Sequence, residues 1–323
     1  MLTALFILGA ILALAVLALA ATIAFSSPKA LPPMASVANS FLGVDFSALP
    51  DKQFYRAADG AKLAYRLYPG DSGRIAVLIH GSSGTTASMH PLARAIAARG
   101  ATVYALAMRG HDGGSSRGRS GDIDYIGQLD DDLTDFIKTL GPRTPKQKRT
   151  LLGFSSGGGF ALRFAGGPNG ALFDRLVLVA PQFPHFAPTV RPQAGGWVSV
   201  AIPRIVALSI LTRLGITQFN GLAVLAMSID PARGAAARLT PVYSYRMLEN
   251  FSASNDYLGD IKRVRGPVSL FVGAEDEIFR AEQFAPLLKP VRPDLTVTVL
   301  PCIDHMGMTV KAAAVETIAA AMN

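Results

Sequence analysis

The sequence predicts an α/β fold with a mostly parallel sheet, preceded by one apolar helix. Beyond residue 70, short apolar runs alternate with helical stretches, which is the pattern of parallel strands joined by helices. Residues 181–262 break this alternation, and residues 1–25 carry no charged side chain. We therefore divide the 323 residues into an N-terminal apolar segment (1–25), a linker (26–50) and a globular domain (51–323) with an insertion at about 181–262.

The N-terminal segment is apolar over a length that can cross the hydrocarbon core of a membrane as a helix. Small residues at positions 20–24 resemble a signal-peptide cleavage site, so secretion after cleavage is the alternative. No Lys or Arg precedes the apolar run, and the run is longer than a usual signal core, which favours an uncleaved single-pass anchor. The Ser- and Pro-containing residues 26–50 are expected to form a linker that lifts the domain off the membrane.

The globular domain begins with a predicted antiparallel hairpin, formed by residues 53–56 and 62–67 around an Asp59-Gly60 turn. The alternating part of the chain then predicts strands at 74–79, 101–107, 150–154, 175–179, 268–272 and 295–300, and helices near 86–99 and 125–140. Loops that follow parallel strands lie at the carboxyl edge of a sheet, where such folds bind ligands. The chemistry-bearing residues are therefore expected in those loops.

The most informative motif is Gly153-Phe154-Ser155-Ser156-Gly157, which lies between a predicted strand and a predicted helix. A serine at such a turn has a strained backbone, and small residues two before and two after it let the strand and helix approach. Only Ser155 has glycine at both flanking positions. The motif therefore predicts Ser155 as a nucleophile whose hydroxyl points out above the sheet, with the N–H of Ser156 at the start of a helix, where it can bind an oxyanion.

A serine nucleophile needs a base, a residue that orients the base, and a second oxyanion donor. In hydrolases with this type of turn they follow the chain order donor loop, serine, acid, histidine. The sequence supplies candidates in that order: the glycine-rich loop 80–84, Ser155, the acids of residues 275–277 and His305.

Among the acids, spacing after the strand favours Asp276, with Glu275 and Glu277 as alternatives. The other position that could supply an acid, residues 180–182 after the strand 175–179, has no carboxylate.

Four motifs together resemble the α/β-hydrolase superfamily, and most closely its monoacylglycerol lipase, lysophospholipase and serine aminopeptidase-like branch. They are His80-Gly81-Ser82-Ser83-Gly84, Arg109-Gly110-His111-Asp112-Gly113-Gly114-Ser115, the motif around Ser155, and Gly273-Ala274-Glu275-Asp276. The resemblance covers roughly residues 52–180 and 264–323. It implies an α/β-hydrolase fold with a mostly parallel eight-stranded sheet, helices on both faces and a helical cap.

The resemblance also implies roles for individual residues. Ser155 would be the nucleophile, His305 the general base and acid, and Asp276 the residue that orients His305. The backbone N–H groups of Ser82 and Ser156 would form the oxyanion hole. The main departure from the family's pattern is Ser156, where many relatives carry a bulkier residue after the nucleophile.

The remaining reactive residue types have simpler explanations. His80 and His111 lie in glycine-rich turns, where histidines commonly bind the backbone. Cys302 is the only cysteine, which excludes an intrachain disulfide and any multi-cysteine metal site. The proposed chemistry requires no cofactor or metal. The net charge of +8 is scattered, and the basic stretch 143–149 has no accompanying aromatic residues, so nucleic acid is not an expected partner.

These observations predict a membrane-anchored serine hydrolase that cleaves lipid-like carboxylic esters. The insertion supports this substrate class, because it contains Phe183, Phe186, Trp197 and the apolar stretch 198–214. That stretch would form an apolar lid or a face that touches the membrane, or would simply pack on the sheet. A peptidase or amidase of the same design and a non-catalytic binding protein are the alternatives. A peptidase would require an acidic pocket, whereas the insertion contains few carboxylates.

Overall fold

The computed structural model describes residues 2–34, 41–112, 119–142, 144 and 147–322. Its strands are β1 (Lys52–Arg56), β2 (Lys62–Tyr68), β3 (Ile75–Ile79), β4 (Thr102–Leu106), β5 (Arg149–Phe154), β6 (Arg175–Val179), β7 (Val198–Val200), β8 (Ala223–Met227), β9 (Val242–Ser244), β10 (Val268–Gly273) and β11 (Thr296–Leu300). Its helices are α1 (Leu2–Phe25), α2 (His90–Ala97), α3 (Gln128–Thr139), α4 (Ser156–Gly166), α5 (Ile202–Arg213), α6 (Pro231–Ala236), α7 (Tyr245–Asn250), α8 (Tyr257–Arg263), α9 (Phe284–Leu288), α10 (Gly307–Val310) and α11 (Ala312–Ala320).

An eight-stranded sheet with the order β1-β2-β4-β3-β5-β6-β10-β11 forms the centre of the domain, which confirms the predicted fold class. The hairpin β1-β2 is antiparallel, and β2 pairs antiparallel with β4. From β4 to β11 all neighbours are parallel. Because β3 and β10 are buried along their whole length, their sequences are continuous apolar runs instead of alternating patterns. The parallel strands end at one common edge.

Residues 181–262, which we call the inserted segment, contain strands as well as helices. β7, β8 and β9 form a three-stranded antiparallel sheet, in addition to the predicted helices. The predicted apolar stretch 198–214 therefore divides into β7 and α5. Pro203 marks the division, because a proline in the first turn of a helix has no N–H to leave unpaired.

The N-terminal helix α1 packs against α5 of the inserted segment. Ile23, near the end of α1, contacts a small apolar cluster that includes Leu208 and Val224. Arg204 of α5 donates from Nη2 to the carbonyl of Ala24 over 3.5 Å, at the carboxyl end of α1. A cation at this end of a helix complements the partial negative charge of its free carbonyl groups.

Part of the predicted linker also contacts the inserted segment. The N–H of Lys29 donates to Ser199 Oγ over 2.9 Å, and the hydroxyl of Ser228 donates to the carbonyl of Pro32. Residues 35–40 of the predicted linker lie outside the described residues. Residues 26–34 of the linker therefore contact the inserted segment, whereas residues 41–50 contact the rest of the domain.

Candidate active site

Ser155 lies at the sharp turn between β5 and α4, with φ 53° and ψ −121°. Few residues other than glycine adopt a positive φ, so this turn is strained. A Cβ atom on Gly153 would lie 2.1 Å from the carbonyl oxygen of Gly157, and one on Gly157 would lie 2.2 Å from that of His80. Both flanking positions therefore require glycine, because a side chain there would collide with neighbouring backbone, as the sequence predicted.

His305 and Asp276 complete a hydrogen-bonded line with Ser155 at the carboxyl edge of the sheet. His305 Nε2 lies 3.0 Å from Ser155 Oγ, and His305 Nδ1 lies 2.8 Å from Asp276 Oδ2. The other oxygen of Asp276 accepts the backbone N–H groups of Ile278 and Phe279, at 2.9 and 2.8 Å. With Asp276 ionised, Nδ1 carries the proton of the neutral ring and the lone pair of Nε2 faces Ser155.

Apolar packing fixes the ring of His305. The rings of Phe154 and Phe279 lie 4.9 and 5.2 Å from it, between centroids, and both His305 and Asp276 are buried. Glu277 accepts the backbone N–H of His305 over 3.0 Å, and Glu275 is exposed. Of the three candidate acids, the carboxylate that contacts the His305 ring is that of Asp276.

The loop after β3 places Ser82 next to Ser156. The loop turns at residues 81–84, where the N–H of Gly84 donates to the carbonyl of Gly81 over 3.0 Å, and Gly81 lies against Ser155. Within the part of the chain that the structure describes, the backbone N–H groups of Ser82 and Ser156 have no hydrogen-bond acceptor. Two free donors beside a serine hydroxyl can bind a negatively charged oxygen.

The side chains of Ser82 and Ser156 form a polar chain with Gln182. The two hydroxyls hydrogen-bond to each other, and the hydroxyl of Ser156 donates to Gln182 Oε1 over 2.5 Å. Gln182 follows β6, at the other position that could supply an acid and that has no carboxylate in this chain. Sequence reasoning missed Gln182, although its place in the chain after a parallel strand was a usable signal.

His80 and His111 are buried and bind the backbone, as predicted. His80 Nδ1 lies 2.8 Å from the carbonyl of Gly81, and Nε2 accepts the N–H of Met108 over 3.2 Å. His111 Nδ1 lies 3.2 Å from the carbonyl of Arg109. Burial lowers the pKa of both histidines, more strongly for His111. Both rings are therefore neutral at neutral pH.

The second nitrogen of His111 reaches a residue that the sequence analysis did not select. His111 Nε2 lies 2.6 Å from the hydroxyl of Tyr243, on β9 of the inserted segment. Residues 113–118, which include the end of the predicted glycine-rich loop 109–115, lie outside the described residues.

The remaining candidates lie apart from this site or outside the described residues. Cys302 is an exposed free thiol. Residues 143, 145 and 146 of the basic stretch are outside the described residues. Among the residues that the structure describes, no group of three His, Cys, Asp or Glu side chains is arranged to hold a metal ion.

A mostly parallel eight-stranded sheet, with a strand, a serine turn and a helix at its carboxyl edge, is the architecture of an α/β-hydrolase. A family model described as serine aminopeptidase, S33, matches residues 70–309. The chain therefore belongs to this family of α/β-hydrolases. No curated protein matches the sequence.

Solved structures share the fold at low sequence identity. A monoglyceride lipase from Saccharomyces cerevisiae is 18% identical with a TM-score of 0.63, covering 87% of this chain and 96% of that one. A monoacylglycerol lipase from Paleococcus ferrophilus is 19% identical with a TM-score of 0.60, covering 80% and 96%. A bacterial membrane phospholipase A is 17% identical with a TM-score of 0.59, covering 98% and 97%.

Proposed function

We propose that this protein is a membrane-anchored serine hydrolase that cleaves carboxylic esters of lipid-like substrates through an acyl-enzyme. The observation that carries the proposal is the line from Ser155 Oγ to His305 Nε2 to Asp276 Oδ2, with distances of 3.0 and 2.8 Å. A hydroxyl, an imidazole and a carboxylate in this order form an activated nucleophile.

The reaction follows from the positions of these groups. His305 Nε2 takes the proton of Ser155 as Oγ attacks the ester carbonyl, and Asp276 stabilises the imidazolium ion that forms. The N–H groups of Ser82 and Ser156 bind the oxyanion, and the second lies at the positive end of α4. His305 then protonates the leaving alcohol. Water, activated by the same imidazole, hydrolyses the acyl-enzyme and frees Ser155. These steps use only groups of the chain, the substrate and water.

Two carboxylates of the inserted segment, Asp256 and Asp260, are engaged within the protein, which favours an ester over a peptide with a free amine. Asp260 is buried and accepts hydrogen bonds from Ser254 and Arg263. Asp256 accepts the N–H of Gly259 and pairs with Arg263 at 3.0 Å. An acidic site for a substrate amine would need a carboxylate that is not already neutralised within the protein. Both of these carboxylates are engaged by Arg263.

The apolar surface of α5 supports a lipid-like substrate. Ile202, Val206, Ile210 and Leu214 recur every fourth residue, and are 56, 53, 44 and 70% exposed. This spacing places the first three side chains on one face of α5, and Leu214 directly follows the helix. An exposed apolar stripe of this kind favours contact with lipid.

The properties of α1 support the membrane anchor. It is a 24-residue helix with an 18-residue window of mean hydropathy 2.8, and none of its residues is buried in the protein. At 1.5 Å per residue it spans about 36 Å, enough to cross the hydrocarbon core. With α1 in a membrane, the exposed stripe of α5 would lie close to the membrane surface, because the carboxyl end of α1 contacts α5.

The proposed nucleophile is tested with a fluorophosphonate probe, which reacts with activated serines. We expect wild-type protein to be labelled and the Ser155→Ala variant to remain unlabelled. Ser269→Ala, which changes a buried serine on β10, is the matched control and should label like wild type. Labelling of Ser155→Ala, or no labelling of folded wild type, would overturn the proposal.

The substrate class is tested separately with p-nitrophenyl esters of increasing acyl length. We expect kcat/KM to rise from acetyl to octanoyl or longer chains, because the apolar inserted segment gains buried contact with each added methylene. Activity confined to acetyl esters would reject the lipid-like class while leaving the serine mechanism intact. Fractionation of cells tests the anchor: full-length protein should stay with the membranes after a high-salt wash, and protein lacking residues 2–25 should be released.

A further inference from the structure

The inserted segment holds the loop that carries Ser82 by two hydrogen bonds to the next residue, Ser83. The backbone N–H of Ser83 donates to the hydroxyl of Tyr243 over 2.8 Å. The backbone N–H of Thr240 donates to the carbonyl of Ser83 over 3.2 Å. Both peptide groups around Ser83 are therefore fixed by residues more than 150 positions further along the chain.

Ser83 requires such support because its backbone conformation is unfavourable. Its φ is 62°, in the left-handed region that favours glycine. Its side chain is buried, and its hydroxyl has no hydrogen-bond partner among the described residues. The Ser83 side chain therefore contributes no compensating hydrogen bond. The backbone bonds to Tyr243 and Thr240 are the polar contacts that stabilise this conformation.

Tyr243 is itself fixed in the orientation that accepts the Ser83 N–H. Its side chain is buried, and burial raises the pKa of its phenol, so the hydroxyl keeps its proton. His111 donates from Nδ1 to the carbonyl of Arg109, which leaves Nε2 as an acceptor 2.6 Å from the Tyr243 oxygen. The Tyr243 hydroxyl therefore donates to His111, and its oxygen is available to accept the N–H of Ser83.

We propose that Tyr243 and Thr240 are positioning residues, which hold Ser83 and thereby aim the adjacent Ser82 N–H at the oxyanion. The inference rests on the proposed function, because it concerns the transition state of ester hydrolysis. It also joins two parts of the fold: residues 80–84, which we call the oxyanion loop, reach their active geometry when β9 packs against them. The inserted segment thus takes part in assembling the oxyanion hole.

The first test compares Tyr243→Phe with Tyr245→Phe in the full-length protein, using a p-nitrophenyl ester. Tyr245 is a second buried tyrosine of the inserted segment, two residues away on α7, and serves as the matched control. We expect Tyr243→Phe to lower kcat on the order of tenfold with KM changed less than about twofold, since the lost support acts on the oxyanion. Tyr245→Phe should keep kcat within about twofold.

A second comparison separates positioning from general loss of stability. Glycine adopts a positive φ without strain, so Ser83→Gly makes the loop conformation less dependent on Tyr243. We expect Tyr243→Phe to lower kcat by less than about threefold in the Ser83→Gly background. If Tyr243→Phe alone does not fold, the effect of removing the Tyr243 hydroxyl is still measured by comparing the kcat of the Tyr243→Phe, Ser83→Gly double variant with that of Ser83→Gly.

The outcomes distinguish this inference from the proposed function. No ester hydrolysis by folded wild type would reject the function itself. An active wild type with an unchanged kcat in Tyr243→Phe would reject the positioning role. The role is also rejected if the tenfold loss persists in the Ser83→Gly background, or if Tyr245→Phe loses as much activity.

Discussion

Replacing Asp276 with asparagine should inactivate the protein by changing which nitrogen of His305 carries the proton. Asp276 Oδ1 accepts two backbone N–H groups, those of Ile278 and Phe279, so in the variant the amide oxygen must occupy this position. The amide NH₂ group then replaces Oδ2, 2.8 Å from His305 Nδ1. An amide NH₂ group donates hydrogen bonds and cannot accept one, so Nδ1 becomes the acceptor and the proton moves to Nε2.

A proton on Nε2 points at Ser155 and prevents His305 from acting as a base. In Ser-His-Asp hydrolases this wrong tautomer lowers kcat by about 10⁴-fold, which corresponds to about 5.5 kcal/mol of transition-state stabilisation. The fold should survive, because asparagine has nearly the volume of aspartate and keeps the two backbone hydrogen bonds. We expect full-length Asp276→Asn to melt within a few degrees of wild type while its ester hydrolysis falls by this factor.

Asp304→Asn is the matched control for this experiment. Asp304 precedes His305, and its Oδ1 accepts the N–H of Gly307 over 2.9 Å, a bond that asparagine can keep. The control should retain kcat within about twofold. A loss below tenfold in Asp276→Asn, or an equal loss in Asp304→Asn, would refute the argument from the tautomer.

Three further predictions concern the turn at Ser155, the buried histidines and the polar chain beside the oxyanion loop. In Gly157→Ala the new Cβ would lie 2.2 Å from the carbonyl oxygen of His80. We therefore expect the free energy of unfolding to fall by at least about 3 kcal/mol, and an unchanged melting temperature would contradict this expectation. Because the pKa values of His80 and His111 are lowered in the folded state, the unfolded chain binds more protons below about pH 6.5. Their contribution to stability is therefore complete above that pH and is lost as the pH falls, by up to about 1.4 kcal/mol per pH unit for each histidine. Chemical unfolding between pH 7.5 and 5.5 should show that the free energy of unfolding changes less with pH in His111→Gln than in wild type. An equal pH dependence in the two proteins would contradict this. Ser156→Ala breaks the hydroxyl chain to Gln182 but keeps the backbone N–H, so kcat should fall less than tenfold, and a loss as large as that of Ser155→Ala would show that the hydroxyl itself is essential.

The central sheet could be predicted because its determinants are local. A strand buried on both faces appears in the sequence as a short continuous apolar run, and the predicted strand at 175–179 has the observed bounds of β6. Helix ends were less predictable. The helix expected near 86–99 begins with a 3₁₀ turn at Thr86–Met89, followed by α2. Such short irregular turns depend on packing that periodicity does not reveal.

The three-stranded sheet of the inserted segment was not predicted, since its strands are short and pair over long distances. β7 and β9 have three residues each, too few to establish an alternating pattern. β8 is Ala-Val-Leu-Ala-Met, a sequence that suits a helix as well as a strand. The pairing of these three segments, and not their individual preferences, determines their conformation.

The candidate site divides in the same way. Ser155, Asp276 and His305 could be selected because each follows a recognisable strand in a fixed chain order. Tyr243 lies 132 residues from His111 and 160 from Ser83, with no local motif to mark it. Residues whose role depends on a single distant contact become visible when the chain is folded.

The attachment of α1 to the inserted segment has a consequence for engineering this protein. In this fold the insertion is the natural part to exchange between relatives when a different substrate range is wanted. Here such a chimera would lose Arg204 and the cluster around Leu208, which hold the end of α1, together with Tyr243, which supports the loop at Ser83. A transplant should therefore carry α1, residues 26–34 and the inserted segment as one module, with the oxyanion loop redesigned to match.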